Sequence, residues 1–181
     1  NSNQSGLCSG TNQVCSGSAG WTDDYSSVAG YGLYEEPDAF YADENCDGID
    51  GDIVLAVFVA TNGVDNGFCD FASPCATINH GLGAAQSRGL TDVYVQAGEY
   101  FETVTLVDGL RIFGGYDTLW SRDQRILEGH GATIVGDSDA SGHSVAVSAN
   151  GVNASMEGMI VRAPDGKGTG ESSYGVHAVN S

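Results

Sequence analysis

The acidic stretch at residues 43–52 carries oxygen side chains at the spacing of a calcium-binding loop. It fits the first six positions of the pattern D-x-(D/N)-x-(D/N)-G, in which alternating oxygens converge on one cation and Gly48 permits the sharp turn. A complete loop has glutamate at position twelve, where this chain has Val54, and two later aspartates could replace it. The predicted calcium ligands are Asp43, Asn45, Asp47, Ile49 (through its carbonyl oxygen), Asp50 and Asp52. The alternative interpretation is a solvated acidic linker.

The net charge excludes two classes of partner. Of the 181 residues, 24 are acidic and six are basic, which gives a net charge of −18 at pH 7. Such a field repels nucleic acid and anionic lipid surfaces, and no apolar run reaches the roughly 18–20 residues that a membrane span needs. Residues 1–52 hold ten of the acids and no Lys or Arg. We therefore predict an acidic calcium-binding segment at 1–52 and a second domain at 53–181.

The five cysteines indicate an oxidising compartment. Cys8 with Cys15 and Cys69 with Cys75 are close enough in sequence to close small disulfide loops. Cys46 is then left over, as a free thiol, as an intermolecular bridge, or because the pairing differs from this prediction. Reduced cysteines in a cytosolic protein are the alternative. No Cys/His spacing typical of zinc or haem is present, so no thiolate metal site is expected.

Short β-rich runs separated by Gly, Asp and Asn fill the second domain, as is typical of strands. The predicted strands are 53–60, 92–96, 103–107, 110–114, 132–136, 143–148, 159–163 and 174–179. One helix is predicted over 74–86, with Ser73 as its N-cap and Pro74 at its first position. Its narrow apolar stripe consists of Ile78, Leu82 and Ala85.

Similar apolar triplets begin at Leu110, Ile134 and Met159, which are 24 and then 25 residues apart. A period in the twenties with short strands and Gly/Asn turns predicts a solenoid of parallel strands. The amphipathic helix would then cover the open first turn of this solenoid. An antiparallel sandwich with tight hairpins at the Asn-Gly pairs is the alternative.

Two resemblances add to this interpretation. The run AVFVATNGVDNG…ASPCATINHGL…DVYVQAGEYFETVTLVDGLRIFGGYDTLWSRD, within residues 54–136, resembles the start of right-handed parallel β-helix proteins of the pectin-lyase-like superfamily. More closely, it is similar to secreted bacterial surface proteins of that type. The resemblance implies an all-β fold, a right-handed parallel β-helix. A small cysteine loop is common there before the PCATI segment, which supports pairing Cys69 with Cys75.

The second resemblance covers residues 7–52. LCSGTNQVCSGSAGW, DYSSVAGY and ENCDGIDGD are similar to a metal-binding repeat of bacterial surface proteins whose core reads CDGxDNDCDG. In this chain the second cysteine of that core is replaced by Ile53, and Asp24 stands where a cysteine is expected beside Tyr25. The two replacements together imply the loss of one disulfide.

Catalytic signatures are weak. Gly129-His130-Gly131 resembles the GHG element of polygalacturonases, but the companion Asn-x-Asp, Asp-Asp and Arg-x-Lys elements are missing around it. Arg111 has no clustered acids beside it, as a lyase base would need. The remaining polar candidates are interpreted as structural: an Arg122–Asp123 ion pair, an Asp137–Asp139 turn, and packing or surface roles for His80, His143 and His177. We predict no catalytic residue.

The last predicted strand ends two residues before Ser181, and no element that covers it follows in this sequence. A fragment, a disordered or cleaved remainder, and stacking of another protomer on the open C-terminal rung are the three explanations. The sequence as a whole predicts a non-catalytic, calcium-stabilised structural or adhesive protein of the cell surface or extracellular space. Its partners would be other copies or other surface proteins, with assembly into a fibre or filament as one outcome. The alternative is a β-helix that binds or degrades a polysaccharide.

Overall fold

The computed structural model describes residues 2–65, 67–122, 131–138 and 142–180. The chain divides into two compact units, residues 1–54 and 55–181. The division lies two residues beyond the change in composition at residue 52. Each unit has its own means of holding its chain together, and each is described by itself.

The first unit has little regular structure. It contains two short 3-10 turns, Gly6–Cys8 and Gly17–Ala19, and one antiparallel hairpin formed by Val14–Cys15 (β1) and Trp21–Thr22 (β2). Many of its other hydrogen bonds run from backbone N–H groups to carboxylate side chains. A unit that is poor in apolar side chains and so rich in Gly, Ser and Asp relies on such local bonds and on covalent links.

The second unit is built from one helix and eleven described strands. The helix is Ile78–Arg88 (α1). The strands are Ala56–Val59 (β3), Asp92–Gln96 (β4), Gly98–Phe101 (β5), Val104–Thr105 (β6), Arg111–Tyr116 (β7), Ala132–Val135 (β8), Asp137–Ser138 (β9), Ser144–Asn150 (β10), Ser155–Glu157 (β11), Met159–Arg162 (β12) and Ser173–Val179 (β13).

The strands of the second unit form three sheets. Their strand orders are β11-β7-β4-β3, β12-β8-β5 and β13-β10-β6, and all of these neighbours are parallel. Strand β9 pairs antiparallel with β10 at the side of the third sheet. With the β1–β2 hairpin, the described residues therefore contain four small sheets of mixed pairing.

The prediction of a right-handed parallel β-helix is wrong. The strands lie in separate small sheets, both parallel and antiparallel, and the described residues form no single solenoid. The apparent repeat does not correspond to the pairing of strands, so it does not indicate a solenoid. Leu110 immediately precedes β7, whereas Ile134 lies in β8 of a different sheet. Within that second sheet Ile134 pairs with Val161, not with Met159. The antiparallel sandwich is not formed either, because most strand pairs in the described residues are parallel.

Helix α1 forms where a helix is predicted but begins four residues later. Its N-cap is Thr77, whose side chain accepts a hydrogen bond from the His80 N–H at 3.3 Å. Ser73 is instead held in a turn, in which its N–H donates to Asp70. The predicted stripe is confirmed as the buried side of the helix: Ile78, Leu82 and Ala85. No described helix is long and apolar enough to cross a membrane.

The sheet that contains β3, β4 and β7 has two different apolar faces, because neighbouring side chains on a strand alternate between faces. In one register row Val57, Val93 and Ile112 lie side by side and join the aliphatic core beneath α1. In the adjacent row Phe58, Tyr94 and Phe113 lie side by side, with ring centroids 5.4 and 5.9 Å apart. Each strand therefore contributes alternate side chains to an aliphatic core on one face of the sheet and to an aromatic cluster on the other.

Helix α1 approaches this sheet closely. A Cβ atom at Gly81 would lie 2.6 Å from a methyl group of Val59, so only glycine leaves the helix at this distance.

Candidate functional site

The predicted calcium loop folds back on its own backbone. Gly48 N–H donates to Asp43 Oδ2 at 3.0 Å, Asp47 N–H donates to Asn45 Oδ1 at 2.9 Å, and Ile49 N–H donates to Asp47 Oδ1 at 3.2 Å. We call residues 43–54 the acidic loop. The alternating side chains of the pattern are therefore turned inward, as short Asp and Asn side chains do in tight turns.

The remaining predicted ligands are buried and take part in other contacts. Asp50 is 3% exposed and its Oδ1 accepts from the Asp38 N–H at 3.1 Å. Asp52 is 7% exposed and its Oδ1 accepts from the Val54 N–H at 2.8 Å. The side chain of Ile49 is buried. Within the described residues, no three carboxylates of this loop bring ligand atoms within 4.8 Å of one another.

A glutamate that the sequence did not single out holds the acidic loop together. Glu35 Oε2 accepts from the N–H groups of Glu44 and Asn45 at 2.8 and 3.0 Å, and its Oε1 accepts from Gly51 N–H at 3.0 Å. Burial raises the pKa of Glu35 to about 8, although the bonds from Asn45 and Gly51 oppose this shift. The sequence pattern of the acidic loop does not include Glu35, which precedes its hydrogen-bond donors by 9 to 16 residues.

The carboxylates of the acidic loop are partly buried and have no basic side chain of their own unit to offset them. Burial raises the pKa of Asp47 to about 6 and also raises the pKa of Asp43. Residues 1–54 contain no Lys or Arg that could offset these carboxylates. The buried Oδ1 of Asp43 accepts no hydrogen bond from any described residue. An oxygen atom of this kind, beside Asn45 and Asp47, fits the oxygen donor set that Ca²⁺ prefers.

A disulfide joins the acidic loop to the beginning of the chain. Cys8 is bonded to Cys46, with their Cα atoms 5.7 Å apart, so the predicted Cys8–Cys15 pairing is wrong and Cys15 is an exposed free thiol. The Leu7 N–H donates to the Asp43 carbonyl at 3.3 Å beside this link. Proximity along the sequence did not predict this disulfide, because the fold brings together Cys8 and Cys46, which are 38 residues apart in the sequence.

The other predicted disulfide is present. Cys69 is bonded to Cys75, with Cα atoms 4.8 Å apart. The imidazole of His80 lies beside them: one ligand atom from each of the three residues lies within 4.8 Å of the others. From the sequence, His80 was predicted to be a surface or packing residue, because the histidines are scattered along the chain.

A polar groove of about 430 Å³ lies over the sheet β13-β10-β6. Thr105, Ser148 and His177 occupy one register row across its three strands. The other lining residues are Thr103, Asp137, Ser138, His143 and Val145. Two histidines that appear scattered in the sequence therefore share one cavity. Asp137 belongs to β9 rather than to a simple turn, and Asp139 lies outside the described residues.

Two arginines have structural roles. Arg111 forms a bidentate ion pair with Asp92, with hydrogen bonds of 2.7 and 2.9 Å. Arg122 is buried, contacts Glu157 at 2.6 Å and donates to the Gly114 carbonyl at 3.1 Å. Both guanidinium groups are therefore held between strands. The predicted partner Asp123 and the GHG residue His130 lie outside the described residues.

Comparisons with family models, with curated proteins and with solved structures find no match to this chain. The assignment of function therefore rests on the geometry and chemistry of its own residues.

Proposed function

We propose that the protein is a non-catalytic structural or adhesive protein of the extracellular space or cell surface, whose first unit is stabilised by Ca²⁺. The observation that carries this proposal is the set of buried carboxylates in a unit that has no basic residue. Such carboxylates repel one another and are costly to bury without a counter-ion. A hard divalent cation would offset both costs.

The acidic loop contributes suitable ligands for this ion. Asp43 Oδ1 is buried and accepts no hydrogen bond from a described residue, and the Asp43, Asn45 and Asp47 side chains already line one turn. Asp50 and Asp52 would have to exchange backbone hydrogen bonds for the cation. Ca²⁺ would supply charge neutralisation and cross-linking of the loop, and no chemical step.

The extracellular location is supported by the two disulfides, because such bonds persist in oxidising compartments. An extracellular location also agrees with calcium binding, because Ca²⁺ sites of modest affinity are filled at the extracellular Ca²⁺ concentration.

Thermal unfolding with and without Ca²⁺ tests the proposal. A ligand that binds only the folded state stabilises it by mass action, by about 2.7 kcal/mol at one hundred times its Kd. We expect Tm to rise with Ca²⁺ at constant ionic strength and to fall on addition of EDTA. An unchanged midpoint would exclude calcium stabilisation.

The variant Asp43→Asn sharpens this test. It keeps a side chain of the same shape, and its oxygen can still accept from Gly48, so the loop can fold without the ion. We expect its Tm to respond little to Ca²⁺. Asp24→Asn is the matched control, because Asp24 is a partly exposed acid of the same unit outside the acidic loop. It should keep the full response.

Binding of a polysaccharide is a second candidate function, favoured by the polar groove. Hydroxyl, imidazole and carboxylate groups in one cavity suit a hydroxylated ligand. Asp137 is the single carboxylate among its described lining residues, whereas inverting or retaining hydrolysis needs a pair. The groove therefore favours binding over degradation.

Calorimetric titration against a panel of neutral and acidic polysaccharides tests this candidate. His177→Ala should weaken any binding, whereas His80→Ala, outside the groove, should not. Release of reducing ends or unsaturated products would instead indicate an enzyme and contradict the non-catalytic proposal.

Self-association through strand β13 is the partner interaction that the proposal favours. All seven residues of β13 are exposed, and they include Tyr174, Val176 and Val179. An exposed apolar edge strand is a template for pairing with another chain. Sedimentation equilibrium should show concentration-dependent association that Val176→Lys abolishes. A monomer at all concentrations would contradict this part of the proposal.

A further inference from the structure

A pocket of about 390 Å³ lies at the carboxyl edge of the sheet β11-β7-β4-β3. Thr61 and Asn62 reach it from the loop after β3, Gln96 from the end of β4, and Thr118 and Trp120 from the loop after β7. These three strands are parallel, so the segments leave the sheet at the same edge. Ligands of open α/β sheets bind at this edge as well.

The side chain of Gln96 is a buried polar group of this pocket. Gln96 is 6% exposed, and its side-chain amide forms no hydrogen bond with any described residue. Val95 belongs to the aliphatic core, so the next side chain along β4 lies on the opposite, aromatic face of the sheet. The amide offers two donors and one acceptor there. It is therefore available to a ligand in the pocket.

Two aromatic rings form an apolar wall of the pocket. The ring centroids of Phe71 and Trp120 lie 6.2 Å apart, and both rings pack edge-on against Phe58 at 5.4 and 4.9 Å. Phe71 lies within the loop that the Cys69–Cys75 disulfide closes. This part of the wall is thus held covalently.

The backbone at Trp120 is fixed in an uncommon conformation. Its φ of 63° lies in the left-handed region, which a bulky side chain rarely adopts. Asp117 holds this turn, because its Oδ1 accepts from the N–H groups of Leu119 and Ser121 at 2.8 and 2.9 Å. Such conformations persist where surrounding contacts fix them, and they cluster at ligand sites. The wall is therefore formed before any ligand binds.

The lining of the pocket selects the chemistry of its ligand. None of its described lining residues is charged, so an ionic ligand would be desolvated without a partner. A purely apolar ligand would leave the amide of Gln96 unpaired. A sugar ring combines hydroxyl groups at its edge with an apolar C–H face. Amides and hydroxyls on one side and aromatic rings on the other match both parts of such a ring.

We propose that this pocket binds one residue of an uncharged saccharide, with its hydroxyl groups bonded to Gln96 and Asn62 and its C–H face against Phe71. The volume lies at the small end of the range for ligand pockets, roughly 300–1,000 Å³. The pocket shares no lining residue with the polar groove. The inference therefore goes beyond the proposed function, because it requires neither the groove nor the calcium loop.

Saturation-transfer NMR of the unmutated chain tests the inference. The probes are glucose, galactose, mannose and N-acetylglucosamine, with galacturonate as the charged comparison. We expect saturable binding of at least one neutral sugar and weaker binding of galacturonate. No binding of any neutral sugar, or equal or tighter binding of galacturonate, would overturn the proposal.

The variant Gln96→Leu assigns the site. It keeps a side chain of similar size and removes the amide, and loss of its hydrogen bonds should weaken binding about 10-fold. Because no described residue bonds to this amide, Tm should not fall. Gln86→Leu, at an exposed position of α1 outside the pocket, is the matched control and should bind as before. Unchanged binding in Gln96→Leu, or an equal loss in the control, would contradict the site.

Three further variants separate this pocket from the polar groove. Phe71→Ala should weaken binding, whereas Phe68→Ala should not, because Phe68 is exposed and lies outside the pocket. His177→Ala, in the polar groove, should also leave binding unchanged. Binding that is lost in His177→Ala but kept in Gln96→Leu would place the sugar in the groove and overturn this inference, without affecting the proposal of calcium stabilisation.

Discussion

The two units of this chain achieve order in different ways. In residues 55–181, Val57, Val93 and Ile112 pack in register beneath α1, so burial of apolar surface holds the strands together. In residues 1–54, Glu35 and the acidic loop bond to backbone N–H groups, and the Cys8–Cys46 link closes the chain. The first unit therefore depends on hydrogen bonds to carboxylates and on a disulfide that a reductant can remove, whereas the second depends mainly on packing of apolar side chains.

Among the changes that test this difference between the two units, removal of the Cys8–Cys46 disulfide should have the largest effect on stability. The link joins residues 38 apart, and the loop-closure model assigns about 4 kcal/mol of unfolding free energy to such a loop. The double variant Cys8→Ala/Cys46→Ala should lose protection from hydrogen exchange in residues 1–54. Cys15→Ala should lose none. Unchanged protection in the double variant would show that the carboxylate bonds suffice.

Truncation of Ile112 should act on the second unit. Ile112 is almost fully buried in the aliphatic core, and such a deletion costs about 3 kcal/mol of unfolding free energy. Denaturant unfolding of Ile112→Ala should show a lowered midpoint for residues 55–181. Phe101→Ala is the control, because Phe101 is 76% exposed and should cost little. Equal losses in both variants would contradict a packed core at Ile112.

The Cys69–Cys75 disulfide should matter less to stability than the first one. It joins residues only 6 apart, for which the same model gives about 2 kcal/mol. The backbone bonds from Phe58 and Ala60 also remain after the link is removed. Cys69→Ala/Cys75→Ala should therefore lower the unfolding free energy by about half as much as the first double variant. A greater loss here would reverse the comparison.

The smallest expected effect concerns the start of α1. Thr77→Ala removes an N-cap hydrogen bond to His80 and should cost about 1 kcal/mol. Ser73→Ala, at the position that the sequence favours as N-cap, should cost at most a few tenths. Thermal unfolding of the two variants decides between the positions, and a larger loss for Ser73→Ala would place the cap there.

Local patterns in the sequence predicted local structure well. The stripe Ile78, Leu82 and Ala85 is the buried side of α1, because helical periodicity alone determines which residues share a face. The side chains of Asp43, Asn45 and Asp47 were predicted as cation ligands, and their hydrogen bonds to nearby backbone N–H groups were not predicted. The start of α1 was less predictable, because Ser73 and Thr77 are both suitable caps and tertiary contacts of Asp65 favour Thr77.

Long-range features could not be predicted. The pairing of Cys8 with Cys46, the bonds of Glu35 to the acidic loop, and the row formed by Thr105, Ser148 and His177 all depend on which distant segments the fold brings together. The solenoid prediction failed for the same reason, since a spacing along the chain does not determine which strands are neighbours. The proximity of His80 to the Cys69–Cys75 disulfide is also created by the fold, not by a sequence spacing.

The Cys8–Cys46 link also makes a covalent ring of the residues between its two cysteines. This ring includes exposed aromatic side chains that proteases favour, such as Trp21, Tyr34 and Phe40. A single cut within the ring leaves both ends joined through sulfur, so the nicked chain stays one molecule and keeps its acidic loop attached to both segments. Where no reductant is present, a single cut within this ring would therefore release no fragment until the Cys8–Cys46 link is reduced.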